Sequence, residues 1–523
     1  MDMAIKLGML LLFFGSMIAV GFYCRKRSRD VDGFVLGGRS VGPWLTAFAY
    51  GTSYFSAVVF VGYAGQFGWK YGIAATWAGI GNAIIGSLMS WAILGRRTRV
   101  MTQHLGSATM PQFFEARFGS KALKLAASAI IFIFLIPYTA SLYNGLSRLF
   151  GMAFDIDYSV CVIVMAVLTA VYVIAGGYMA TAINDFIQGM IMLVGIVAVI
   201  AAVLKGQGGF TEALNALARV EDPAVSNAPG AFNSFLGPDP VGLAGVVLLT
   251  SLGTWGLPQM VQKFYAIKSE KAIGKGMIIS TVFALVVAGG CYFLGGFGRL
   301  FADRIDLASG GYDSIIPAML SDLSPFLIAI VVVLVLSASM STLSSLVLTS
   351  SSTLTLDFLK GTLVKDLNEK KQLFIIRVLI GVFIAVSVVI AIVQYRSNVT
   401  FIAQLMGISW GALAGAFLAP FLYGLYWKRA TALSVWVSFG FSVVLMSVNM
   451  LAKSWLPALL QSPINCGVAC MLAGLVLVPL VSLVSKPPKK EQVEKIFACY
   501  ATQVVVAAAD AIGEPVKEKE ETQ

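Results

Sequence analysis

The sequence concentrates its oxygen chemistry between Ser337 and Asp357, SASMSTLSSLVLTSSSTLTLD, where an apolar run from Ile328 to Leu336 gives way to a series of hydroxyls. On a helix, Ala338, Ser341, Thr342 and Ser345 fall on one face, so a carbonyl and several hydroxyls converge on one point. Oxygen ligands of that kind suit a small, hard cation. Ser and Thr in membrane helices also satisfy carbonyls one turn back and ease helix packing, and the stretch by itself fits that role equally well.

A second candidate is Asp185, in GGYMATAINDFIQGMIMLVG. It is the one acidic residue that falls inside an apolar segment rather than in a loop, a tail or a helix end. A carboxylate at the centre of a membrane helix costs roughly 2.5 to 3.5 kcal/mol on insertion scales, so it needs a partner or an ion. About one turn inside its segment, Asp185 also fits an N-terminal charge favoured by the helix dipole. Enzyme chemistry finds little support. The single histidine, His104, is placed in a loop as an ordinary surface residue, and the chain contains no Walker sequence, zinc motif or nucleophile elbow. Without a nucleotide-binding segment, uphill transport must draw on an ion gradient; 100 mV is worth about 2.3 kcal/mol per charge, a concentration ratio of roughly 50.

These residues sit in a chain of 523 with 58% hydrophobic and 12% charged residues and a mean hydropathy of +0.84. An ordinary soluble protein carries about 25% charge, so the class is an all-α polytopic membrane protein. The formal charge of +11 follows from basic residues confined to one side of a bilayer and requires no nucleic-acid partner. Six cysteines lie in or beside apolar segments, and only the Cys466, Cys470 pair approaches a metal-type spacing, so neither a disulfide framework nor a zinc site is expected. The first apolar run, Met9 to Tyr23, precedes a basic cluster and reads as a retained span rather than a signal peptide.

At roughly 20 apolar residues per span, thirteen helices are expected near 3–23, 43–68, 73–95, 122–149, 157–177, 181–204, 240–262, 276–298, 324–352, 374–394, 399–426, 431–452 and 464–485. With the N-terminus outside, the loops after odd-numbered spans hold CRKRSR, GRRTR, the Lys263 to Lys275 cluster, the Lys360 to Lys371 cluster, WKR and SKPPKK. This bias puts those loops and the C-terminus in the cytoplasm of a cell-membrane protein. The external loops Gly206 to Pro240 and Arg299 to Ser324 read as connectors or lids. Residues 1–485 form one transmembrane domain, and 486–523 a cytoplasmic tail with a short helical pattern at Val493, Ile496, Phe497 and Tyr500.

Thirteen spans leave room for a core of ten, the second to the eleventh, in two halves of five near 43–204 and 240–426. Five is odd, so the second half enters the membrane inverted relative to the first, as in inverted-repeat transporters. Gly, Pro and polar residues interrupt the first helix of each half, at Gly42 to Ala57 (GPWLTAFAYGTSYFSA) and Thr250 to Gln259 (TSLGTWGLPQ). Broken helices release backbone carbonyls and amides, which a bilayer tolerates where they line a cavity or bind a ligand.

Four motifs carry a resemblance that covers nearly the whole chain except the tail: FVLGGRSVGPW at Phe34 to Trp44, AGGYMATAINDFIQG at Ala175 to Gly189, WGLPQMVQKFYAIKS at Trp255 to Ser269, and SMSTLSSLVLTSSSTLTLDFLK at Ser339 to Lys360. The chain resembles the sodium/solute symporters, the family of bacterial sodium/proline, sodium/pantothenate, sodium/sialic acid and sodium/sugar carriers. That resemblance implies a leucine-transporter-type five-plus-five inverted repeat, alternating access and sodium as the driver. It implies a sodium site from the carbonyls of Thr52, Phe55 and Ala338 and the hydroxyls of Ser341 and Thr342. In some members a second sodium is held by positions matching Asp185, Ser341, Ser344 and Ser345. Asn184 departs from the threonine that many relatives carry before this aspartate.

The same resemblance places Ser53, Tyr54, Ser56, Trp77, Asn82, Thr250, Thr254, Trp255 and Gln404 around the solute. Where proline carriers read GASDMSG this chain reads GTSYFSA, with Tyr54 at the acidic position, while AINDFIQG and GLPQ are similar to elements of pantothenate carriers. The lining is neutral and hydroxyl-rich, which fits a small carboxylate or zwitterion held partly by backbone amides: a pantothenate-, monocarboxylate- or amino-acid-like solute. The expected function is sodium-driven uptake of that solute. Its rivals are proton coupling through Asp185, a symporter-like solute sensor, and a passive channel.

Overall fold

The computed structural model describes residues 2–25, 30–154, 157–305, 307, 311–360, 368–397 and 402–500, and among these it contains helices and isolated bridges but no strand. In chain order, α1 is Asp2–Cys24, α2 is Pro43–Tyr54 and α3 spans 58–71. Next come α4 (76–104), α5 (Met110–Phe118), α6 (Lys121–Phe154) and α7 (Tyr158–Gly206). After an extramembrane segment, α8 (Pro240–Leu252) leads by one 3-10 turn into α9 (Pro258–Ala266), followed by α10 (Glu270–Gly295) and α11 (Pro325–Thr353). The chain continues through α12 (Glu369–Ser397), α13 (Ile402–Tyr426), α14 (Ala432–Leu451), α15 (Pro463–Val484) and a short α16 (Lys490–Phe497).

Among the described residues, ten continuous helical stretches, or eleven with α8 and α9 taken as one bent span, are long and apolar enough to cross a membrane. Thirteen spans were expected, and length reconciles the counts. At 1.5 Å per residue the 49 residues of α7 would run more than twice the ~30 Å hydrocarbon thickness. The helix is divided at Gly177, whose φ of 57° and ψ of −149° are non-helical. A Cβ there would lie 2.7 Å from the Phe34 carbonyl oxygen, so backbone angle and close approach both require glycine. The 47-residue stretch from Val58 to His104 is likewise two pieces, parted where Gly72 takes φ 62°. α4 continues through the GRRTR sequence expected to be a loop, so His104 ends a helix.

The two expected helix breaks occur. α2 stops at Tyr54 because Phe55 is extended, with φ −86° and ψ 115°. α8 and α9 meet at Leu257, φ −80° and ψ 121°, and bend by 47°. Pro258 causes the second break, since the residue before a proline is pushed out of the helical region. The first has no proline; there the Ser56 hydroxyl accepts the Val58 N–H and restarts the chain.

α11 is the buried axis of the molecule, lying against α1, α2, α6, α7 and α12. From Val331 to Thr353 every residue is buried. The peripheral helices α1, α12, α14 and α15 instead present apolar side chains outward, among them Leu12, Val389, Val444 and Val476. Such a surface is at home in lipid rather than in water. The two long loops expected on the outside fold onto helix ends: Arg299 donates to the Trp69 carbonyl and pairs with Asp222 at 2.9 Å, while the Trp77 indole donates to the Phe235 carbonyl. In the tail, the predicted pattern forms α16, with Val493, Ile496 and Phe497 buried. Tyr500 donates to the Leu425 carbonyl at 3.1 Å, and His104, exposed on the surface as expected though at a helix end, meets the Lys495 carbonyl at 3.1 Å. The sequence EPVKEKEETQ lies outside the described residues.

Candidate functional site: two oxygen clusters on one helix

The first cluster forms where the end of α2 meets the middle of α11. The last carbonyls of any helix lack intrahelical partners, and the stop at Tyr54 leaves those of Thr52 and Phe55 directed at α11. The Thr342 hydroxyl lies 3.0 Å from the Thr52 oxygen, 3.1 Å from that of Phe55 and 3.1 Å from that of Ala338. The Ser341 hydroxyl lies 3.3 Å from the Thr52 oxygen and 3.1 Å from that of Ala338. All five residues are buried. Two hydroxyl protons cannot satisfy five such contacts, so the cluster is richer in acceptors than in donors. A small cation would supply what is missing, and the donor set, three carbonyls and two hydroxyls, fits sodium chemistry. The structure thus brings together Thr52, Phe55, Ala338, Ser341 and Thr342.

The second cluster lies beside it. Asp185 sits in the part of α7 beyond the Gly177 kink, two turns in, which is deeper than the first-turn position that a helix-dipole role needs. Its carboxylate is fully buried and neither oxygen has a hydrogen-bond partner. The nearest cation is Lys263 of α9, with Nζ 3.9 Å from Oδ2. Lys263 was assigned by sequence to a cytoplasmic basic cluster; it is instead 2% exposed. Its ammonium donates to the Ser345 hydroxyl at 3.0 Å and lies 5.0 Å from the centre of the Tyr178 ring. The Ser345 hydroxyl is in turn 3.0 Å from that of Ser53. Ser344 donates back to the Ser341 carbonyl, and the Asn184 amide donates to Met17 of α1. Sequence carried one overlooked signal for Lys263: apolar Phe264 to Ile267 separates it from Lys268 and the lysines beyond.

The residues expected around the solute divide. Asn82, Thr254 and Trp255 meet at the contact of α4 with the end of α8. Asn82 accepts from Ser251 at 3.1 Å, Thr254 donates to the Gly86 carbonyl at 3.1 Å, and Trp255 donates to the Ile85 carbonyl at 2.9 Å. Thr250, one turn earlier, donates to the Val246 carbonyl within α8. Ser56 caps the restart of the chain after Phe55, and Gln404 stands half-buried in the first turn of α13. Ser53 belongs with Ser345 in the second cluster, because one residue before the end of α2 its side chain faces α11 rather than α4. Trp77 is held by an exposed loop through Phe235, whose ring stacks edge-on at 4.9 Å, and so stands apart from the group. The Tyr54 side chain lies outside the described residues. Ser251, the partner of Asn82, was missed because nothing but tertiary contact marks it out from other hydroxyls of α8.

A further buried carboxylate was also missed. α11 continues as a π-helical turn over Leu354–Leu359, so Asp357 is inside the protein and not in a loop. It accepts from the Thr109 hydroxyl at 2.7 Å and the Gln112 amide at 2.8 Å, which ties α5 to the end of α11.

Comparison with known proteins agrees with this geometry. The Sodium:solute symporter family profile matches residues 34–439. Relatives named sodium/proline symporter, from Staphylococcus aureus strains JH9 and NCTC 8325 / PS 47, are each 31% identical over 497 residues, covering 92% of this chain and 92% of theirs. A Na+-coupled sialic acid symporter, solved in a substrate-bound outward-open state, shares the fold with a TM-score of 0.72 at 18% identity, over 93% of this chain and 99% of that one. The inward-facing structure of Mhp1 gives 0.51 at 13% identity, over 87% and 94%. The chain belongs to the sodium:solute symporter family, as a multi-pass carrier of the leucine-transporter-type fold with sodium as its coupling ion.

Proposed function

We propose that the protein couples inward sodium movement to uptake of a small carboxylate or zwitterion by alternating access, with the sodium held by Thr52, Phe55, Ala338, Ser341 and Thr342. The observation that carries this is the excess of acceptors over donors among five buried oxygens at the junction of α2 and α11. A cation there draws the broken end of α2 onto α11, and α2 also leads directly to Ser56 and the α4–α8 contact. Ion and solute then stabilise the same closed arrangement, which is the physical requirement for coupling. In this reading the repeats span about 43–204 and 240–426, residues 486–523 form the tail, and the lysine- and arginine-rich loops face the cytoplasm with the C-terminus.

The solute group of Ser56, Asn82, Thr250, Thr254 and Trp255, with Gln404 at its edge, has hydroxyl, amide and indole groups and no ionised side chain. That supports a solute whose charge is met by helix-end amides. Proline, named for the relatives, is the first candidate, to be compared with pantothenate-like and monocarboxylate solutes. Proton coupling through Asp185 has less support, since Lys263 stands beside the carboxylate as a counter-charge. The test is uptake by proteoliposomes with sodium replaced by potassium at fixed pH, after a sodium-dependent thermal-shift screen for ligands. Uptake lost in potassium is expected; undiminished uptake would sink sodium coupling. Accumulation against a gradient distinguishes a carrier from a channel or a sensor.

A further inference from the structure

We infer that the Lys263 ammonium is the resident cation of the second cluster, so that this carrier binds a single sodium. The inference rests on the sodium site proposed above and adds a statement about its neighbour. Ser345, which would serve a second ion, already accepts a hydrogen bond from Lys263 at 3.0 Å. Asp185, the carboxylate of this cluster, has that ammonium 3.9 Å away. A cation added beside Asp185 would face the ammonium across a buried space with one negative charge for two positive ones. Burying an unbalanced charge is unfavourable, so the tethered cation excludes the free one.

Lys263 is also placed to report on the first site. From its Nζ the contacts run to the Ser345 hydroxyl and then to the Ser53 hydroxyl at 3.0 Å, and Ser53 adjoins Thr52, whose carbonyl belongs to the sodium cluster. The side chain comes from α9, just beyond the Leu257 break, and reaches Ser345 of α11, which in turn meets Ser53 of α2 just before the Phe55 break. Lys263 thus joins the two discontinuous spans through one residue of α11. Its charge neutralises Asp185, and its hydrogen bond holds the Ser345 hydroxyl that meets Ser53.

The test counts bound sodium on the purified full-length protein by equilibrium binding of radioactive sodium, with no solute needed, for wild type, Lys263→Gln, Lys263→Arg and Asp185→Asn. Wild type, Lys263→Arg and Asp185→Asn are expected to bind one sodium per chain. Lys263→Gln should bind two, because the uncompensated Asp185 carboxylate then recruits an ion. Its thermal stability should also rise more steeply with sodium than that of wild type. Two sodium ions on the wild type, one on a folded Lys263→Gln, or loss of an ion in Asp185→Asn would each overturn the inference. If Lys263→Gln does not fold, the wild-type and Asp185→Asn counts still decide. Failure of the sodium site itself reads differently: wild type would bind no saturable sodium, and Ser341→Ala would change nothing.

Discussion

On one face of α11, Ala338, Ser341 and Thr342 meet Thr52 and Phe55 through neutral oxygens alone. One turn along, Ser345 meets a full positive charge, with a full negative charge close behind it. Both regions are buried and both are built from the same hydroxyl-rich stretch. In the proposed assignment the neutral cluster is incomplete by itself and becomes satisfied when a cation arrives. The charged cluster carries its own cation, so an arriving ion has nothing to neutralise. What separates an ion site from a structural pair here is one side chain contributed by α9, rather than the helix both clusters share.

The strongest way to break that comparison is to unpair the charges. Lys263→Met or Asp185→Asn, measured in potassium buffer so that no sodium compensates, should each destabilise the protein by about 3–5 kcal/mol, because one buried charge is left without its partner. The double variant should lie much nearer to wild type. Thermal unfolding in detergent reads this, and equal losses in single and double variants would show that the two charges do not act as a pair.

Ser341→Ala probes the other side. Hydrogen-bond-strength contacts to a charged group contribute about 1.5–3 kcal/mol, so sodium affinity should fall roughly 10- to 100-fold with little change in stability in potassium. A sodium titration of the thermal midpoint checks it, and an unchanged titration would remove Ser341 from the site.

Gly177→Ala sharpens the contrast. The glycine sets the kink that brings Asp185 to α11, and alanine there is strained and meets the Phe34 carbonyl, at a cost of about 1–3 kcal/mol. Sodium affinity at the neutral cluster should change far less than the Asp185–Lys263 coupling measured by the double-variant cycle.

The smallest effect is expected far from both clusters. Tyr500→Phe removes the bonds to the Leu425 and Arg97 carbonyls and should cost about 0.5–1.5 kcal/mol. Its sodium titration should match that of wild type; a shifted one would mean that tail docking reaches the ion site.

Much of this was legible in the chain. The class, the span count and the two broken helices follow from hydropathy, from length and from Gly and Pro placement, all of which are local properties. The face Ala338, Ser341, Thr342 and Ser345 follows from helical periodicity alone. Thr52 and Phe55 as its partners came from the motif resemblance, since a backbone carbonyl leaves no mark in a side-chain sequence. Asp185 was visible because a carboxylate in an apolar run is costly. Lys263 was not, because it precedes a genuine basic loop and hydropathy averages it with Lys268, Lys271 and Lys275. Asp357 was hidden in the same way by the lysines that follow α11, and Ser53 and Trp77 changed company because the direction of a side chain near a helix end depends on where that helix stops.

By itself, then, the sequence determined that this is a polytopic membrane protein with an oxygen-rich helix and a carboxylate in an apolar run, because composition and period are written residue by residue, while the motif resemblance supplied its reading as a carrier. Only the tertiary structure showed which oxygens gather without a charged partner and which already have a cation beside them. Charge compensation is a matter of distance between atoms far apart in the chain. The break at Leu257 points α9 into the protein, the Gly177 kink carries Asp185 towards α11, and their meeting within 3.9 Å is a property of the fold.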